Sequence, residues 1–134
     1  LFEGCGASYY QHIIYRNMKL NLIEDRGVRF EMDIEDNKLM LDVAKVAESL
    51  RKDMQPKAWM NKKSVKEFLD LTCKQMGCRP DKLVHEVRKV DGSIELWFEA
   101  FVAIEYLRWA NENLANWFAE KLNELISDGT ISCD

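Results

Sequence analysis
The stretch from Leu96 to Ile126 constrains the fold more than any other part of the chain. It carries three of the four tryptophans, Trp97, Trp109 and Trp117, together with Phe98, Phe101, Val102, Leu107, Phe118, Leu122 and Leu125. Phe98, Phe101, Val102, Glu105 and Trp109 fall at helical intervals, giving one face whose single break is Glu105. A second face runs through Leu114, Trp117, Phe118, Leu122 and Leu125. Asn111-Glu112-Asn113 separates the two with residues that favour helix starts. The pattern predicts two helices, about residues 98–110 and 113–126, meeting at an angle at that polar corner, with Gly129 as a stop. Aromatic stripes of this kind are core and need no ligand to explain them. Any chemistry must sit on what these helices support.

A chain of 134 residues, 47% hydrophobic, is long enough for one domain with its own core. No apolar run is long enough for a membrane-spanning helix. Residues 1–8 read as a loose leader or tag remnant, which leaves 9–134 as a single domain. Of the four cysteines, Cys5 and Cys133 lie near the ends, and the apolar content suffices without cross-links; this favours a reduced, cytoplasmic setting. Cys73 and Cys78 with His85 miss the spacing of a zinc knuckle and lack a fourth ligand nearby, so neither a metal nor another cofactor is expected.

Taken in order, Lys19-Leu20-Asn21-Leu22 alternates as a strand does, and Val28 to Ile34 alternates strictly, apolar on one face and charged on the other. Leu39-Met40-Leu41 is a short third strand, with turns at Glu24–Gly27 and Glu35–Lys38. Asp42 caps a helix in which Val43, Val46, Ala47 and Leu50 share a face and which ends at Arg51-Lys52. Pro56 closes the connection, and Trp59 anchors the next element. Asn61 caps a second helix, Lys62 to Met76, stopped by Gly77. Leu83–Val90 and Ser93–Trp97 form a hairpin around Asp91-Gly92. The sum is an α+β domain with four helices and three to five strands.

The net charge of −4 hides a segregation. Lys45 to Val90 holds twelve Lys or Arg against six Asp or Glu, while the rest holds seven against seventeen. Lys62 and Lys63 stand in a first helical turn, where the helix dipole disfavours a cation by roughly 0.3 kcal/mol or more. Lys62 and Lys66 also form a like-charge pair one turn apart. Cations set against the dipole point to an anionic partner. The bland alternative is a solvated face, with Lys63–Glu67 and Lys66–Asp70 as ordinary helix ion pairs. Arg88 and Lys89 flank the hairpin tip. A basic-tipped hairpin after two helices is the layout of a winged helix-turn-helix. No phosphate loop, zinc-protease motif or nucleophile elbow occurs, and His12 and His85 stand alone; the four acids from Glu31 to Asp36 could hold a divalent ion, but the alternation puts Glu31 and Asp33 on the solvated face of the strand. No catalytic constellation stands out, and an enzyme is not expected.

Several of these pieces resemble the KilA-N domain of bacteriophages, prophages and large DNA viruses. Asn37 to Ala47, Asn-Lys-Leu-Met-Leu-Asp-Val-Ala-Lys-Val-Ala, is similar to that family's short strand leading into its first helix. Lys57-Ala58-Trp59-Met60 matches its "DWLR" segment at the tryptophan, and Ser64-Val65-Lys66-Glu67-Phe68-Leu69 is similar to the start of its next helix. Ala103-Ile104-Glu105-Tyr106-Leu107-Arg108-Trp109 is close to its "LAIEFARW", and Phe118-Ala119-Glu120-Lys121-Leu122 follows its last motif. The resemblance spans about Asn37 to Ile126, each piece short, with order and spacing agreeing throughout. One departure stands out: where the family has "G-G-T-W", this chain has Asp91-Gly92-Ser93-Ile94-Glu95-Leu96-Trp97, and Glu95 would repel a phosphate backbone.

The resemblance implies an α+β fold of strands, two helices, a hairpin wing and two further helices. It also implies binding to double-stranded DNA, as in the related APSES domains of fungal regulators, within a phage-type regulatory protein. Phosphate contacts are then expected from Lys57, Lys62, Lys63, Lys66, Arg88 and Lys89, with Asn61, Ser64 and Gln55 as candidate base readers. The alternative is an antirepressor-like or DNA-mimicking module whose acidic ends engage a regulatory protein partner. No membrane partner is expected on either reading.

Overall fold
A computed structural model describes the backbone of residues 17–35 and 38–129. The expected leader at residues 1–8, residues 9–16 and 130–134 of the expected domain and the middle of the turn at residues 36 and 37 lie outside the described residues. Five strands, β1 (Asn17–Ile23), β2 (Arg29–Glu35), β3 (Lys38–Asp42), β4 (Val84–Arg88) and β5 (Ile94–Glu99), form one sheet in the order β1-β2-β3-β5-β4. Every neighbouring pair is antiparallel. Between β3 and the β4–β5 hairpin come three helices, α1 (Val43–Ala47), α2 (Pro56–Met60) and α3 (Lys63–Met76). After β5 come α4 (Ala100–Ala110) and α5 (Glu112–Ser127). The class is α+β, as the sequence pattern predicts.

Strand periodicity decides which face of the sheet is core. Phe30, Met32 and Ile34 of β2 are buried and alternate with charged residues. The register sets Ile34 opposite Leu39, Met32 opposite Leu41, Leu41 opposite Phe98 and Phe98 opposite Val84, so one apolar surface crosses four strands. The helices cover it with rings. Trp117 and Phe118 of α5 lie 4.8 and 5.7 Å from Phe30. Trp59 of α2 sits 5.8 Å from Phe98 and 5.7 Å from Tyr106 of α4. Each such side chain gains about 1.5–3 kcal/mol on leaving water, so most of the aromatic stretch forms the core; the exceptions are Phe101, which is 49% exposed, and Trp97, which alternates with Leu96 and Phe98 onto the other face of the sheet.

Asp42 links sheet and helices. Its carboxylate accepts from the Ala44 amide, starting α1, and from the Leu96 amide of β5, both at 3.1 Å. Burial pushes its pKa up; the two amides pull the other way and do not cancel the shift. Asn111 caps α5 by accepting from the Leu114 amide, and Gly77 ends α3 with a φ of 63°.

Four local expectations are corrected. The helix after Asp42 stops at Ala47, whose carbonyl accepts a bond from the Gln55 side chain at 3.2 Å. Pro56 opens a helix of its own, as proline does at a first helical position, and this gives five α-helices among the described residues, not four. Asn61 ends that helix, its amide donating to the Lys57 carbonyl, and does not cap the next one. Phe98 and Glu99 belong to β5, because the Glu99 carboxylate accepts from the Phe101 and Val102 amides and starts α4 only at Ala100. Among the described residues no helix is long and apolar enough to cross a membrane.

Candidate nucleic-acid interface
Helix α3 turns Val65 and Thr72 into the core and half-buries Phe68 and Leu69. That packing leaves Lys63, Ser64, Lys66 and Glu67 facing outward at its start. The helix ion pairs Lys63–Glu67 and Lys66–Asp70 do not form; Asp70 is taken instead by Lys74 at 3.1 Å. Among the described residues Lys63 and Lys66 have no carboxylate partner. The residue before α3, Lys62, supplies no side-chain cap, and the first turn holds no acid. The start of α3 therefore offers two unpaired ammonium groups beside uncapped amides, an arrangement that attracts an anion.

A second cation group gathers at the edge of the sheet. Lys57 of α2 and Arg88 of β4 both reach Glu86, with Lys57 Nζ 3.1 Å from Oε1 and Arg88 Nη2 3.3 Å from Oε2. Glu86 stands opposite the buried Leu96, so it projects on the helix-covered side of the sheet, at the edge strand. Lys57 and Arg88, far apart in sequence, are thus neighbours, and one carboxylate holds them. Sequence reasoning missed Glu86, because nothing in the local pattern of β4 tells which helix lies beside it.

Two of the expected cations are engaged elsewhere. Lys62 lies over the ring of Trp109 in α4, its Nζ 5.6 Å from the centroid. Lys89 binds Glu95 at 2.8 Å. Glu95 neighbours the inward Leu96 along β5, so it lies on the opposite, open face of the sheet. The hydrogen bond from Lys89 holds Glu95 below its ordinary pKa, and Glu95 raises that of Lys89, so the two shifts agree. The repulsion expected from Glu95 is therefore turned away from Glu86 and already matched by a cation. Asn61 is exposed next to Lys62 and Ser64 is exposed in the first turn of α3, so both stay available as polar contacts. Gln55 does not: its amide nitrogen donates to the Ala47 and Arg51 carbonyls.

The hairpin tip is held by its own side chains. The Asp91 carboxylate accepts from both the hydroxyl and the amide of Ser93, which holds its pKa below the ordinary value, and Gly92 takes a φ of 90°. On the open face of the sheet a cleft of about 750 Å³ is floored by Met40, Val87 and Trp97, with Asp33, Lys38 and Arg79 among its charged lining. Among the described residues no cluster of His, Cys, Asp and Glu is arranged to hold a metal ion. Comparison of the chain with protein-family models, with curated proteins and with solved structures returned no match.

Proposed function
We infer that this chain is a non-enzymatic module that binds double-stranded DNA, in the manner of a KilA-N domain with a winged helix-turn-helix layout. The observation that carries the reading is the pair of unpaired cations, Lys63 and Lys66, at the uncapped start of α3. Helices α2 and α3 would be the helix-turn-helix, and the β4–β5 hairpin the wing, tied to α2 through Glu86. The outer side of α3 turns acidic at Glu67 and Asp70, and exposes Leu71 beyond them. The helix would therefore meet the duplex with its N-terminal end, its amides and lysines toward phosphate, and with Asn61 and Ser64 the nearest base-reading groups. A phage-type regulatory role rests on the resemblance of motifs.

Fluorescence anisotropy of a labelled duplex, titrated with protein over a range of salt, tests the reading. Reversing Lys63 and Lys66 to Glu should weaken binding to every duplex and flatten the log K against log salt slope by about 0.9 for each phosphate no longer neutralised. Reversing Lys19 and Lys121 serves as the control. Lys19 lies on β1, the sheet edge opposite β4, and Lys121 lies over Trp117 of α5. Equal losses from both pairs would refute the assignment of the surface.

A second reading, a module that engages a basic protein partner, is favoured by one observation. Glu31 of β2 lies on the open face of the sheet, where Asp33, Glu35 and Glu95 are set against Lys19, Lys38 and Lys89, so among the described residues its charge is the one acid of that row without a cross-strand or ion-pair cation. No binding to any duplex at low salt would make that reading the better one.

A further inference from the structure
Glu86 holds two of the cations expected to meet phosphate. Its two carboxylate oxygens are taken one each, by Lys57 from α2 and by Arg88 from its own strand, at 3.1 and 3.3 Å. The group is not an exposed rim charge, since its side chain is only 29% exposed. Its direction is set by the alternation of β4: the residue paired with it, Leu96, is buried, so the carboxylate cannot swing to the open face without breaking register. Two donors converging on two oxygens of one anion are also the pattern by which cationic side chains grip a phosphate. A duplex backbone arriving at α2 and the hairpin would find both cations occupied.

We propose that Glu86 is an internal competitor for DNA phosphate, which holds Lys57 and Arg88 in place while lowering the affinity of the interface. The proposal rests on the duplex-binding reading. On binding, the backbone displaces the carboxylate from at least one cation, and the carboxylate remains held by the register of β4 beside the incoming phosphate. Affinity therefore falls short of what the cations alone would give. The unpaired Lys63 and Lys66 supply the attraction that Glu86 tempers. Glu86 is thus an affinity-setting residue, and it needs no base contact to act.

The experiment is a duplex-binding cycle on the full chain, read by anisotropy with a short random-sequence duplex. Glu86→Gln keeps the shape and removes the charge. Neutralising one further phosphate charge multiplies affinity by about tenfold near 0.05–0.1 M salt and steepens the salt slope by about 0.9. The gain should vanish when Lys57→Ala and Arg88→Ala are already present. Glu86→Ala, checked for folding by its thermal melt, should give a gain in the same direction. If the wild-type chain binds duplex and Glu86→Gln leaves affinity unchanged or lowers it, the competitor role is overturned while the interface at Lys63 and Lys66 stands. A gain that persists without Lys57 and Arg88 also overturns it, because the effect would be one of net charge. If neither the wild-type chain nor Glu86→Gln binds any duplex, the DNA reading fails and takes the proposal with it. Binding that appears only in Glu86→Gln would be the proposal in its strongest form.

Discussion

Asp42 joins two amides with a single carboxylate, and it does so from a buried position. Replacing it by Ala removes the cap of α1 and leaves the Leu96 amide without its acceptor, at a cost of about 1–3 kcal/mol. Asp42→Asn keeps an acceptor oxygen and should cost much less. The pH dependence separates charge from geometry. Burial raises the folded-state pKa of Asp42, so the folded chain takes up this proton before the unfolded chain does as pH falls. The charged form is therefore a burden on stability above the raised value, and the burden lifts as pH falls through it toward the ordinary value of 3.8. The stability of Asp42→Asn relative to wild type, from urea denaturation, should accordingly be greatest near neutral pH and decline toward acid. Glu24 runs the other way. Burial works against its charge, but the Arg26 amide and guanidinium outweigh burial and lower its pKa, so its contribution is present at neutral pH and lost in acid. At this scale the sequence is informative where a residue acts through its own neighbours. Asp42 and Asn111 as caps and Gly77 as a stop follow from local chemistry. The second bond of Asp42, to Leu96, and the bond from the Gln55 nitrogen to Ala47 depend on contacts that no local pattern encodes.

The elements show where periodicity reaches its limit. Strands β2 and β3 and helices α3 and α5 are long or regular enough to declare themselves. Helix α2 is five residues, too short to repeat a face, and a proline at its start reads equally as an end. Spacing alone misplaces the boundary between β5 and α4, because Phe98, Phe101 and Val102 satisfy a helical interval even though Phe98 belongs to the strand; Glu99, an uncommon N-cap, sets the true start. Helix α4 is pinned to the approach of α2 by the Tyr106 hydroxyl, which donates to the Met54 carbonyl at 2.7 Å. Burial raises the Tyr106 pKa, so the hydroxyl stays protonated and remains a donor across the ordinary pH range. Tyr106→Phe should lower stability by about 1 kcal/mol, measured by denaturant midpoint, with the aromatic packing on Trp59 and Phe98 retained. The hairpin has its own test. Gly92→Ala forces a side chain into a φ of 90° and should cost about 1–2 kcal/mol, although open space surrounds the position.

For the whole molecule the sheet order matters most. Sequence patterning predicts strands but not that β3 lies beside β5, and it is this crossing that brings β4 to the edge where α2 stands. The basic middle of the chain is legible as a count. Its division is not: Lys63 and Lys66 are left unpaired, Lys57 and Arg88 are held by Glu86, Lys62 is laid on Trp109, and Lys89 is turned to the open face. That division limits the proposed contact surface to the start of α3 and the cations held by Glu86. The most direct test is amide chemical-shift mapping of the isotope-labelled chain titrated with a short duplex. The account predicts perturbations concentrated from Lys57 to Glu67 and along β4 near Glu86 and Arg88, with β1 and α5 undisturbed. Perturbations centred on the open sheet face around Trp97, or none at all at low salt, would contradict it.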